Sequence, residues 1–420
     1  MPVSLPDLRR VSCIALDTET RDDRLQQDKG PGWPMRAGHL VGLSIAWRND
    51  SGLCSTYLPI AHPASDNLDR AQVFAWVRDL LAPGGPRIVT QNGLYDFGWL
   101  RTEAGIAAPA DGRWEEIGAA ATLIDENRFS YGLDDLCKWR GLPGKDDTLL
   151  RSTVEQTFNV RCTTRGKNAP QAYIWQLPAA LVAPYAKQDA LSTLLLHENL
   201  APELDRQGLR DAYDLDRALL PLVLEMSARG IRVDTETAAR NSALFKQKRD
   251  AVLAEIASKL EISAVDMEDL NNTKWLAATC DRLAITYPRT TKGNPSFTSS
   301  AAKLGWMRQH AHWFPPLVVR AKEFHTAASK FLDLYVLDFA VNGRIYPSIH
   351  PFRSDDGGTR SSRFSYSDPP LQQMASHDSE IAGPVRRGFL PEPGEAWATI
   401  DYKQQEFRLL VQEAATRGLR

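Results

Sequence analysis

At 420 residues, 43% hydrophobic and 24% charged, the chain is too long for one core and reads as two or three soluble globular domains. Its formal net charge of −2 excludes no partner, because a nucleic-acid-binding protein can gather its cations in clefts. The five cysteines (Cys13, Cys54, Cys137, Cys162, Cys280) have no C-x-x-C spacing, which fits neither a zinc site nor a disulfide framework and points to a reducing, cytoplasmic setting. With no apolar signal core and no run of about 18 apolar residues, no membrane partner is expected.

Val11 to Leu16 is apolar and partly β-branched, so a buried strand is predicted there. Asp17 and Glu19 follow at its end and share one face, because side chains alternate along a strand. Two adjacent carboxylates repel unless a cation lies between them, so the pair is either an acidic turn or one end of a divalent-metal site. Arg21 to Gly38 is a loop rich in Gly and Pro. Leu40–Trp47 and Leu53–Ile60 read as two strands joined by a turn, which gives the sheet an antiparallel opening. Helical spacing covers Asn67–Leu81, and a short strand at Arg87–Thr90 runs into Asn92 and Asp96. A strand, a helix and another strand imply a right-handed crossover in a mixed sheet. Asp96 is then either a solvated acid at a helix start or a further ligand. Leu181–Leu196 is helical and carries Tyr185 and Asp189 on one face at i and i+4. These two are either a hydrogen-bonded structural pair or a metal ligand beside a phenol that holds a water.

The order Asp17-x-Glu19, Asn92-x-x-x-Asp96, Tyr185-x-x-x-Asp189 resembles the three exonuclease motifs of the DEDD superfamily, in its tyrosine-containing branch. That branch includes the proofreading domain of family A DNA polymerases. Leu123–Asn127 and Tyr131–Leu136 also resemble the segments before the third motif, whereas Trp114-Glu115-Glu116 departs from the family's usual Asp-Thr pair. The resemblance implies that Asp17, Glu19 and Asp189 hold one metal, that Asp17 bridges to a second anchored through Asp96, and that Tyr185 orients the attacking water. Phosphodiester hydrolysis suits two metals about 4 Å apart, and carboxylate ligands favour Mg²⁺ or Mn²⁺.

Further along, Leu204–Ala228 reads as one helical tract that stops at Arg229-Gly230. Ile231–Asp234 is expected to open another helix, capped by Asp234 or Thr235 and running through Leu260 with a Lys- and Arg-rich face. Asn271–Leu276 caps a further helix. Tyr287–Thr298, with Lys292, is a basic loop that either lies along a phosphate backbone or is simply exposed. Phe314–Ala340 is helical, and Gly343–Pro347 opens a strand. The stretch from Gly357 to Gln373, with Thr359, Arg360, Arg363, Ser365, Gln372 and Gln373, resembles the primer-template segment of family A polymerases, although Ser361-Ser362 replaces its Thr-Gly pair. Thr399–Leu410 resembles polymerase motif A. There Asp401 would bind metal, Tyr402, Gln404 and Glu406 would face the nucleotide, and Arg408 would contact DNA; Lys403 and Gln405 depart from the pattern.

The resemblance implies an α/β fold in three parts. An RNase H-like exonuclease domain, a mixed sheet flanked by helices, spans residues 1–205. A mainly helical thumb follows over 206–340, then an incomplete α+β palm over 341–420. It further implies single-stranded 3′ ends and primer-template DNA as partners, and a place in the cytoplasm of a bacterial or phage-infected cell. The family's fingers helix and second palm aspartate do not follow Asp401. One expectation is therefore a split phage-type polymerase completed by a partner chain, with a processivity factor as a further partner. The alternatives are a DNA-binding assembly subunit or a truncated form of a complete polymerase.

Overall fold

In the computed structural model, which describes residues 5–144, 146–164, 166–297, 307–375 and 379–418, the first half is built on one mixed sheet. Its strands are β1 (Cys13–Asp22), β2 (Gly38–Asn49), β3 (Gly52–Pro59), β4 (Arg87–Thr90) and β5 (Trp114–Glu116), in the order β3-β2-β1-β4-β5. β1 to β3 are antiparallel, whereas β4 runs parallel to β1 and β5 parallel to β4. β1 is therefore central, and Ile14, Ala15 and Leu16 are fully buried, which explains its unbroken apolar run. The antiparallel opening and the crossover read from the sequence are both present.

Helices cover both faces. α1 (Arg70–Leu81) is N-capped by Asp69, whose side chain accepts from the Gln72 amide. α2 (Gly93–Ala104) follows β4 directly, and α3 (Ile117–Ile124) follows β5. α4 (Leu133–Arg140) and α5 (Thr148–Phe158) lead to α6 (Ala179–Arg206), which packs across β1, β2 and β3. The tract expected to be one helix is two. α6 ends at Arg206 and α7 (Arg210–Arg229) begins after Gly208, whose φ of 68° leaves the helical region. Tyr213, Leu220 and Leu224 of α7 pack in the same core as β1 and α2, so the first module's packing runs past residue 205.

Ile231–Val233 differs from expectation. It is a strand, β6, and pairs antiparallel with β7 (Arg344–Ile345) and β10 (Phe389–Leu390). Asp234 does cap the helix that follows, α8 (Thr235–Leu260), accepting from the Thr237 amide at 2.8 Å. α8, α9 (Met267–Asn271), α10 (Thr273–Arg282) and α11 (Phe314–Thr326) share an apolar cluster around Leu270, Leu276 and Phe314. α11 continues as π-helical turns over Ala327–Asp338, so the second region is rich in helix, as expected.

Beyond it, β8 (Ser348–His350) and β9 (Ser365–Ser367) form a separate hairpin, and α12 (Ser379–Arg386) leads to β10. The expected α+β palm is thus limited to short strands. Residues 391–404 contain no strand, every residue of 393–413 is exposed, and α13 (Gln405–Thr416) buries none of its described side chains. Ile400, before this helix, and Phe407, within it, are exposed apolar groups. No helix among the described residues is long and apolar enough to cross a membrane.

Candidate active site

Three elements carry the first-half candidates: Asp17 and Glu19 are on β1, Asp96 is on α2, and Tyr185 and Asp189 are on α6. Asp17 lies opposite Ser44 in β2, whose hydroxyl donates to Asp17 Oδ2 at 3.4 Å, and Glu19 lies opposite Gly42. Cross-strand partners share a face, so both acids face the side on which α6 packs. Tyr57 of β3 stands there too. A Cβ on Gly42 would lie 2.0 Å from the Tyr57 hydroxyl oxygen, so only glycine fits opposite Glu19. Burial pushes the Tyr57 phenol well above its ordinary range, and the charges of Glu19 and Asp17 add to the effect.

Of the two readings open for Asp96, the solvated helix-start acid does not hold. Asp96 is 3% exposed, and its Oδ1 accepts from the Thr18 amide (2.9 Å) and the Thr18 hydroxyl (2.6 Å). Its carboxyl is held well above the usual range, first by burial and then by the charge of Asp17; the Thr18 hydrogen bonds pull the other way. Thr18, the unnamed residue inside Asp17-x-Glu19, is therefore the clamp between β1 and α2.

Asn92 is exposed just before α2, with φ at 70°. The turn it makes is held by Glu116, the last residue of the Trp114-Glu115-Glu116 stretch that departs from the family's usual Asp-Thr pair. The Glu116 carboxylate is 1% exposed and accepts from the amides of Asn92 (2.8 Å), Gly93 (2.9 Å) and Gly118 (3.2 Å) and from the Thr90 hydroxyl (2.8 Å). It is not placed as a ligand; it fixes the start of the helix that carries Asp96. The signal available in the sequence was an acid at the end of a short strand, directly before an Ile-Gly-Ala helix.

On α6, Tyr185 (5% exposed) and Asp189 (4% exposed) are buried, and Gln171 Nε2 donates to the Tyr185 hydroxyl at 3.3 Å. Tyr185 packs in one cluster with Tyr57, Val182 and Ala186. Beneath lies a second unforeseen pair. His62 Nδ1 faces the Leu177 carbonyl at 2.8 Å, which can only accept, so the proton sits on Nδ1 and Nε2 accepts from Tyr57 at 2.5 Å. Burial holds His62 below the ordinary histidine value. Because the folded pKa lies below the unfolded one, this stability is present above the unfolded value and is lost as pH falls through it toward the folded one. We expect the melting temperature of the wild-type protein to drop more between about pH 7.5 and about pH 5.5 than that of His62→Gln, measured by circular dichroism. Equal drops would contradict the assignment.

The donor set, carboxylates with a nearby phenol and no thiolate or imidazole, suits a hard divalent cation in kind. The half-buried Asp17 carboxylate beside the buried Asp96 carboxyl suits one as well. Among the described residues, however, no three His, Cys, Asp or Glu side chains are grouped so as to hold an ion, so the expected two-metal arrangement is not preformed. Asp96 Oδ1 is turned into its hydrogen bonds with Thr18.

The second-half candidates are dispersed. Lys292 is exposed at the tip of a loop closed by a bridge between Arg289 and Pro295, and Thr298 lies outside the described residues. The Thr359 hydroxyl donates to the Arg363 carbonyl (2.9 Å), Arg360 is exposed, and Ser365 Oγ accepts from the Gly358 amide (2.7 Å). Gln372 donates to the Phe364 carbonyl (2.7 Å), and Gln373 Oε1 accepts from Lys330 (3.0 Å) and Tyr335 (3.3 Å). Asp401, Tyr402, Gln404, Glu406 and Arg408 are all exposed. Glu406 pairs with Arg363, and Arg408 donates to the Lys403 carbonyl at 3.0 Å.

Comparison with known proteins bears on both halves. Residues 236–419 match DNA polymerase family A. The chain is 29% identical over 419 residues to the DNA-directed DNA polymerase of Pseudomonas phage M6, covering 98% of this chain and 60% of that protein. It is 31% identical over 389 residues to DNA polymerase DpoZ of Acinetobacter phage SH-Ab 15497, covering 87% and 59%. Residues 236–419 thus carry a DNA polymerase family A region.

It spans roughly three fifths of the length of these phage relatives. The polymerase match holds the Thr359–Gln373 and Asp401–Arg408 candidates and none of the five first-half residues. In fold, the chain is similar to the POL domain of Pol1 from M. smegmatis, solved in complex with DNA primer-template and dNTP. The TM-score is 0.67 at 16% identity, covering 98% of this chain and 63% of that one.

Proposed function

We propose that the chain is the 3′–5′ proofreading exonuclease, with part of the polymerase, of a phage-type family A DNA polymerase, its first module being RNase H-like. The observation that carries this reading is the convergence of β1, α2 and α6. Asp17 and Glu19 of β1 face the side covered by α6, which carries the buried Tyr185 and Asp189, and α2 sets the buried Asp96 carboxyl where the charge of Asp17 acts on it. Asp17, Glu19, Asp96 and Asp189 would hold Mg²⁺ or Mn²⁺, which when bound would supply the activated water and charge stabilisation that phosphodiester hydrolysis needs. The chain's own residues position the rest. Thr18 and Glu116 fix Asp96, and Tyr185, steadied by Gln171, directs a hydroxyl at the site.

DNA is the proposed substrate, as single-stranded 3′ ends and as primer-template. Arg360, Arg363, Ser365, Gln372, Gln373, Lys292 and Arg408 would contact the duplex, and Asp401, Tyr402, Gln404 and Glu406 would face the nucleotide. Completion of the polymerisation site would draw on the length of the relatives that this chain does not span, in the same polypeptide or in a partner chain. The test is a 5′-labelled mismatched primer-template incubated with the chain and Mg²⁺ or Mn²⁺. The reading expects a ladder shortening from the 3′ end that chelator abolishes; an intact primer under both metals would contradict it.

A further inference from the structure

The acids of β1 and the helix that carries Tyr185 and Asp189 are joined by a buried polar path. It starts in the sheet. Asp17 lies opposite Ser44, and Ser44 lies opposite Tyr57, so one row of side chains crosses β1, β2 and β3 on a single face. In the neighbouring row Glu19 lies opposite Gly42. Tyr57 leans from its own row into that one, because a Cβ on Gly42 would stand 2.0 Å from its hydroxyl oxygen. Facing Cβ positions of antiparallel strands are about 4.5–5.5 Å apart, which puts the hydroxyl within side-chain reach of the Glu19 carboxylate.

His62 holds the hydroxyl from the far side, and both side chains are buried. Tyr57 donates to His62 Nε2 at 2.5 Å, and His62 Nδ1 donates to the Leu177 carbonyl at 2.8 Å. Leu177 and Pro178 lead straight into α6. The backbone of His62 is fixed as well. Its amide donates to Asn67 Oδ1 (2.9 Å), and its carbonyl accepts from Asn67 Nδ2 (2.8 Å). The amide of Ala179, the first residue of α6, donates to Ser65 Oγ at 2.9 Å. The turn after β3 therefore grips the start of α6 at two points.

The surroundings of the pair are apolar, with Val41, Leu150, Ile174, Val182 and Ala186 in the same cluster. A Phe and a Leu would fill this space without the cost of desolvating a phenol and an imidazole. The polar pair adds direction, since a hydrogen bond fixes a distance and an angle where apolar contact fixes neither. Leverage makes the start of α6 matter. Asp189 lies roughly 15 Å along the helix from Ala179 at 1.5 Å per residue, so a small tilt at the start is magnified there. About 1 Å of misplacement at a reacting centre costs roughly a hundredfold in rate.

We propose that Tyr57 and His62 are positioning residues, whose hydrogen-bonded path to Leu177 sets the separation between the carboxylates of β1 and the Tyr185 and Asp189 side chains of α6. The inference rests on the exonuclease reading. Tyr57 is the spacer on the acid side, and His62 ties that spacer to the helix. Neither touches the bond that is cut, and neither contacts DNA.

Mn²⁺ binding to the full chain without DNA tests this, read from the electron paramagnetic resonance signal of the free ion well below every melting midpoint. Asp17→Ala marks the share of binding that belongs to the acids. Tyr57→Phe and His62→Leu should each raise the dissociation constant of that share about tenfold, as losing a group that orients a ligand does. The double variant should be no worse than either single one, because one break already severs the path. In hydrolysis at saturating Mn²⁺, Tyr57→Phe should lower kcat while its KM for a single-stranded oligonucleotide stays within about twofold of wild type. If Asp17→Ala loses Mn²⁺ but the single variants melt lower and bind it as wild type does, the inference falls and the exonuclease reading stands. Additive losses in the double variant would also overturn the path. Tyr57→Phe removes a single oxygen and carries the same test if His62→Leu does not fold. Mn²⁺ binding unchanged by Asp17→Ala would overturn the inference, and no 3′ shortening of the oligonucleotide besides would overturn both.

Discussion

Asp17→Ala is expected to lower 3′-end hydrolysis by about a thousandfold or more, because losing several kcal/mol of cation-borne stabilisation removes a factor of ten per 1.36 kcal/mol. The effect should fall on kcat, since the proposed part of Asp17 is to hold the cation and not to contact base or sugar. Folding should survive. Asp17 is only half-buried, and Ser44 makes a long 3.4 Å contact with it. Its charge also raises the buried Asp96 carboxyl, so its removal relieves a repulsion. Asp17→Ala is therefore expected to melt no lower than wild type in chelator. Quench-flow hydrolysis and a thermal melt on the same preparation check both halves. Hydrolysis within tenfold of wild type would remove Asp17 from the chemistry.

Glu116→Ala should act in the opposite way, on stability first. It leaves the part-buried amide of Asn92, the buried amides of Gly93 and Gly118 and the Thr90 hydroxyl without their acceptor. Unsatisfied buried donors cost about 1–3 kcal/mol each, and relaxation shares part of that, so a net loss of about 3–5 kcal/mol is expected. Glu116→Gln should recover only part of it. Each carboxylate oxygen meets two donors here, and an amide nitrogen in either place would face donors with a donor. Hydrolysis should also fall about 10- to 100-fold in the glutamine variant, because the turn that aims Asp96 loosens. Denaturant unfolding of the three proteins gives the order wild type, Gln, Ala; a glutamine variant as stable as wild type would contradict the bonding described.

The elements carrying the acids were legible because their signals are local. β1 has an unbroken apolar run, α1 and α6 have apolar residues at helical spacing, and Asp234 and Asn272 are caps whose side chains bond within three residues. What was missed is non-local. Ile231–Val233 is a strand because of partners near residues 344 and 389, and nothing within three residues announces it. Asp96 is buried because Thr18, on another element, supplies its donors. The break at Gly208 was hidden by Leu204 and Tyr213, which continue the apolar pattern across it and pack in one core. The Gly357-Gly358 wording read as DNA contact, yet both glycines sit under a loop pinned to the first module. The motif A stretch makes the same point from the other side. Its residues match in sequence, but a strand forms only where an edge is there to pair with, and 391–404 forms none.

The central claim is that the residues at the end of β1 hydrolyse DNA from its 3′ end. The most direct test is the product formed in ¹⁸O-labelled water from a single-stranded oligonucleotide whose 3′-terminal base occurs nowhere else in it. The account predicts that the first mononucleotide released is that terminal one, as a 5′-monophosphate carrying one ¹⁸O, only when Mg²⁺ or Mn²⁺ is present. Release of the 5′-terminal nucleotide first, or of the same product in chelator, would contradict it.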